Sequence, residues 1–147
     1  MENEFDKKYD MFTRCVLVSL FVGISAVYIN LFVDMGFRYF THYNLSSIIN
    51  VSSIIMGCVI LLMILGVLYY GFRVWFKKLA NPLFSIAMIA LTAFCAWKVT
   101  GVVRSPIYRE TVQFRELLIG ILSINGVLAA IFIPMLYSKD KLISQII

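Results

Sequence analysis

The sequence has one histidine, three prolines, three unpaired-looking cysteines and few charges. Each shortage removes a class of function. His42 alone cannot build a clustered His/Cys transition-metal site or ligate a haem through two histidines. Cys15, Cys58 and Cys95 lie in three different apolar stretches, and no Cys-x-x-Cys occurs. That pattern argues against a dithiol oxidoreductase and reads the three as small, reduced packing residues. There is no Gly-rich phosphate loop ending in Lys-Ser/Thr, no His-Glu-x-x-His and no Gly-x-Ser-x-Gly. No two carboxylates share an apolar run, so an intramembrane aspartyl-type site is not expected. No cofactor and no metal are expected, and nothing positive points to an enzyme.

What is abundant is apolar surface. The 147 residues are 61% hydrophobic and 14% charged, against about 45–50% and about 25% in soluble domains. A chain this short cannot hide that surplus in a soluble core. Four apolar runs, about 15–33, 51–72, 83–103 and 117–137, each approach the ~20 residues that cross a ~30 Å hydrocarbon core as a helix. The predicted fold class is therefore all-α: a polytopic membrane protein, a four-helix transmembrane bundle with short loops, in one integral membrane domain over 1–147. The first run is read as an uncleaved span, being too long for a signal-peptide core. Asn81-Pro82 is expected to open the third, with Asn as cap and Pro at the first helical position.

The net charge of +5 is expected to serve topology and lipid headgroups, not nucleic acid. The amino terminus, second loop and carboxyl terminus carry eight Lys/Arg, and the other side five. Both termini are thus predicted to be cytoplasmic. The Ile-, Phe- and Tyr-rich composition suits a bacterial inner (plasma) membrane.

Small residues recur on helical faces. The first run carries Cys15, Ser19, Gly23, Ala26 and Asn30; the fourth carries Gly120, Ser123, Gly126, Ala130 and Pro134. Ser85, Thr92, Ala96 and Thr100 form a less regular stripe, and Ser53 and Gly57 form a small-x-x-x-small pair. Lipid tails do not drive helices together, so close backbone approach and interhelical hydrogen bonds must. The expected packing face is therefore Ser19, Gly23, Ala26, Asn30, Gly120, Ser123, Gly126 and Ala130. A polar path through Ser19, Asn30, Ser123 and Asn125 is the functional counterpart, with Asn125 set off the stripe.

Charged residues near the spans supply candidates for a partner or anionic ligand: Arg104, Arg109, Arg115, Lys98 and Asp34. Lys98 is costly inside a membrane unless it snorkels to the headgroups or pairs with Asp34, which also has Arg38 one turn on. The arginines suit phosphate or carboxylate, and Ser105-Pro106 suggests that the fourth helix begins well before its apolar run. Phe37, Tyr39, Phe40 and Tyr43 read as an interfacial aromatic belt. The function expected is a small non-enzymatic integral subunit or accessory protein that docks with a membrane partner, or with itself, through helix packing. The alternative is a homo-oligomeric channel, pore-forming effector or small transporter.

Overall fold

A computed structural model describes residues 10–42, 49–103 and 106–139. Helix α1 spans Met11–Thr41, α2 Val51–Phe76, α3 Ala80–Thr100 and α4 Tyr108–Ser138, and a 3-10 turn at Lys77–Leu79 joins α2 to α3. No strand occurs among the described residues. Charges do not end these helices. Helix α1 runs past Asp34 because Asp34 and Arg38, four apart, form an ion pair of 2.8 Å on its flank. It stops at His42, whose left-handed φ of 53° turns the chain while its N–H reaches the Arg38 carbonyl at 2.9 Å. Helix α2 opens with a reciprocal cap: Asn50 Oδ1 accepts from the Ser53 N–H, and Ser53 Oγ accepts from the Asn50 N–H, both at 2.9 Å.

Three helical stretches are long and apolar enough to cross a membrane: Met11–Thr41, Val51–Thr100 and Tyr108–Ser138. The four separate spans expected from sequence are corrected in this respect. The second and third runs are one helical stretch of 50 residues, because Asn81 does not cap a new helix. Asn81 Oδ1 instead accepts a 2.6 Å hydrogen bond from Tyr69 Oη, and α3 begins at Ala80 with no side-chain cap. Pro82 still falls in the first turn, where an N–H has no helical partner to lose.

The stretch is not straight. Lys77 takes φ 43° and ψ −105°, and the chain folds back there. The rings of Tyr69 and Phe84 meet at 5.0 Å, and Leu61 and Leu65 share a cavity with Leu91 and Cys95. Arms α2 and α3 therefore lie side by side and antiparallel. The closest helix pairings are α1 with α2, α3 with α4, and α1 with α4, while α2 and α3 touch more sparsely. Cys15, Val22, Ala26, Leu62, Tyr69 and Ile133 fill the interior.

Pro134 sits inside α4 and has no N–H to give the Ala130 carbonyl four residues back. In lipid such a freed carbonyl must find another donor. Ser85 supplies it: its Oγ donates to the Ala130 oxygen at 2.6 Å across the α3–α4 seam. Ser85→Ala should cost about 1 kcal/mol in a denaturant titration of the protein in micelles. In a Pro134→Ala background, where residue 134 regains its N–H, the same change should cost close to nothing. Equal costs in the two backgrounds would refute the pairing.

Candidate functional site

The four residues expected on the α1 packing face all turn inward. Ser19, Ala26 and Asn30 have no exposed surface, and Gly23 is buried with the Val59 Cα only 3.4 Å from where its own Cβ would stand. Ser19 Oγ donates to the Val16 carbonyl at 2.8 Å and presses on Gly66 of α2, where an added Cβ would collide with the Ser19 side chain and stand 3.1 Å from the Cys15 carbonyl. This is the α1–α2 seam. The α4 stripe divides. Gly126 and Ala130 are buried against α3, with Thr92 over Gly126, whereas Gly120 and Ser123 are half-exposed and Gly120 faces open space.

Asn125, which lies off the small-residue stripe, is buried to 2% exposure and belongs to a polar node shared by three helices. Asn30 Nδ2 on α1 and Asn125 Nδ2 on α4 both point at Cys58 Sγ on α2, at 3.4 and 3.6 Å. Each amide also donates to the carbonyl four residues back in its own helix, Ala26 at 2.8 Å and Ile121 at 2.9 Å. Those carbonyls fix which end of each amide carries the NH2. The two Oδ1 atoms are left buried without a hydrogen-bond partner. Unpaired buried acceptors cost about 1–3 kcal/mol each. Beside Asn125 lies an apolar cavity of about 80 Å³ between α2, α3 and α4. The expected path through Ser19, Asn30, Ser123 and Asn125 is not assembled. Only the two asparagines come together. Their signal in the sequence was that each is the one Asn within its apolar run.

The charged candidates are spread out. Asp34 pairs with Arg38 rather than Lys98, and Arg38 also donates to the Ile49 carbonyl at 3.1 Å, tying the end of α1 to the approach to α2. Lys98 is exposed, with its Nζ 5.1 Å from the Trp97 ring and 5.6 Å from Phe94. Arg115 Nε donates to the Val102 carbonyl at 2.5 Å, and Gln113 Nε2 to the Thr41 carbonyl at 3.3 Å. These bonds fasten the start of α4 to the ends of α3 and α1. Arg109 is exposed, six residues from Arg115 and on a different helical face. Arg104 lies outside the described residues. Of the aromatic group, Tyr39 and Phe40 face outward and meet edge to face, Phe37 packs against the core, and Tyr43 lies outside the described residues. No family model matches the chain, and no curated protein or solved structure does so either.

The division of the α4 stripe is open to measurement. At Gly126 an added Cβ would overlap Thr92, whose Oγ1 is held by the Met88 carbonyl at 2.8 Å and is not free to swing away. Gly126→Ala should lower the melting temperature in micelles. Gly120→Ala, with open space at the same position, should leave it level or raise it through better helix propensity. Equal losses at both sites would contradict the assignment.

Proposed function

We propose that the chain is a small, non-enzymatic integral subunit or accessory protein of a bacterial inner (plasma) membrane that docks with a membrane-protein partner through helix packing. In this reading α1, α2, α3 and α4 each cross the bilayer, forming a four-helix transmembrane bundle with both termini cytoplasmic. The two arms of the folded-back stretch have 26 and 21 residues, each sufficient for a crossing of about 20. Arg14 at the start of α1, Arg73 near the end of α2 and Tyr137 near the end of α4 meet at one end of the bundle. An even number of crossings produces that arrangement.

One observation carries the docking reading. Ser53, Gly57, Ile60, Ile64, Val67 and Gly71 all face outward from α2, at spacings of four, three, four, three and four. That is the repeat with which one helix presents a continuous seam to another. Small residues stand at its ends and β-branched aliphatic residues between them. Nothing lies within 4 Å of where a Cβ would stand on Gly57 or Gly71. A glycine inside a helix costs about 0.5–1 kcal/mol relative to alanine, and no helix of this bundle uses the closeness these two permit. Small residues on a lipid-spanning face are what close helix docking requires.

The test is intact mass measurement of the tagged chain extracted from native membranes in mild detergent, beside a Gly57→Leu/Gly71→Leu variant. The wild type should run as a stoichiometric complex with a different membrane protein. The variant should run as a monomer with its melting temperature not lowered, because nothing of the bundle lies within 4 Å of where a Cβ would stand at either position. The same complex in both would reject the α2 seam. A homo-oligomer that conducts ions or solutes in liposomes would replace this reading with the channel or transporter alternative.

A further inference from the structure

The turn that joins α2 to α3 carries both apolar and cationic side chains on its outside. Trp75 is 82% exposed and Leu79 66%, and Val74 and Phe76 are exposed as well. Lys77 and Lys78 stand among them, both exposed. The φ of 43° at Lys77 turns the chain back and makes this stretch the tip of the hairpin. None of the described acidic side chains pairs with either lysine. The tip lies at the end of the bundle where α1 begins and α4 finishes, since Arg14 of α1 and Arg73 of α2 both reach the Tyr137 ring of α4. Among the described residues that end holds Arg14, Arg73, Lys77, Lys78 and Lys139 against Asp10, five positive charges to one negative. The far end holds Arg38, Lys98, Arg109 and Arg115 against Asp34, Glu110 and Glu116, four to three. There Arg38 is paired with Asp34, Arg115 is bonded to the Val102 carbonyl, and Lys98 lies over the Trp97 and Phe94 rings. The two ends therefore differ in the charge they offer to a surface.

We propose that the hairpin tip, residues 75–79, is a binding surface for the headgroups of anionic phospholipids. Indole rings settle at the boundary between headgroups and acyl chains, and lysine stems reach from that depth to the phosphates. Apolar area sets the depth, and charge selects the lipid, because juxtamembrane lysines are drawn to a negative surface and not to a zwitterionic one. In the reading that puts both termini in the cytoplasm, this end meets the cytoplasmic leaflet, whose surface potential is negative. The inference rests on the bundle crossing a bilayer. It does not rest on a partner docked on α2.

The chain has two tryptophans, Trp75 at the tip and Trp97 near the far end, so Trp97→Phe leaves one reporter at the tip and Trp75→Phe leaves the other. Each full-length variant, alone in phosphatidylcholine nanodiscs, is read by fluorescence quenching with brominated phosphatidylglycerol or, at the same mole fraction, brominated phosphatidylcholine. Trp75 should be quenched by both, with the association constant of phosphatidylglycerol about fivefold or more above that of phosphatidylcholine. Trp97 should be quenched by both without that preference. Lys77→Gln/Lys78→Gln should bring Trp75 to parity. If that variant fails to fold, ~1 M salt, which shortens the Debye length to about 3 Å, should do the same in the Trp97→Phe chain. Equal quenching of Trp75 by the two lipids, quenching of Trp97 alone, a preference unmoved by the lysine substitutions or by salt, or the same preference at Trp97 would overturn the surface while leaving the bilayer crossing in place. Quenching of neither tryptophan would overturn the crossing itself, and the surface with it.

Discussion

Helices in lipid gain nothing from hydrophobic burial against one another, and in the membrane setting proposed for this chain the close contacts of its bundle are what meets that deficit. Backbones approach closely where Gly66 meets Ser19, Gly126 meets Thr92 and Gly23 meets the Val59 backbone. Polar side chains then bond where closeness allows. The Ser85 hydroxyl takes up the carbonyl that Pro134 frees, and the Asn30 and Asn125 amides converge on Cys58. Each of these contacts needs a small or polar residue on one helix and an exposed backbone or thiol on the other.

The same logic separates the inside of the bundle from its outward faces. One end is fastened by side chains reaching backbone carbonyls: Arg38 to Ile49, Gln113 to Thr41 and Arg115 to Val102. The other end is fastened by rings, with Tyr69, Phe84 and Tyr137 stacked edge to face beneath two arginines. Between them the α1–α2 and α3–α4 seams are closed, while the sparser α2–α3 contact leaves the cavity beside Asn125. The outward seam of α2 has the small and β-branched character of the inner ones but no helix of this chain upon it. Docking is proposed there for that reason.

Composition and run length made helix legible throughout, and spacing made the α1 packing face legible residue by residue. Other features were hidden for identifiable reasons. The first apolar run stops short of Asp34, yet a charge that finds a partner does not end a helix, so α1 runs well past its apolar core; for α4, Ser105-Pro106 had already signalled a start ahead of its apolar run. Asn81-Pro82 is a good opening signal, but Tyr69 competed for the asparagine and won. Gly120 and Gly126 are two turns apart in one stripe, and a stripe does not say which neighbour each position meets. The convergence of Asn30 and Asn125, and of Arg14 and Arg73, joins residues more than fifty positions apart. No local pattern encodes it.

The account stands on the Val51–Thr100 stretch being folded back at Lys77 rather than running as one rod. Pulsed electron–electron spin resonance reads this directly, with nitroxides on native Cys95 and on a cysteine introduced by Leu61→Cys, in a chain carrying Cys15→Ala and Cys58→Ala and held in bilayer nanodiscs. A continuous helix would separate these positions by about 50 Å. The folded-back arms line one cavity with both residues, so the predicted distance is less than half of that. A distribution centred near 50 Å would contradict the hairpin, and with it the four-helix bundle and the docking seam proposed upon it.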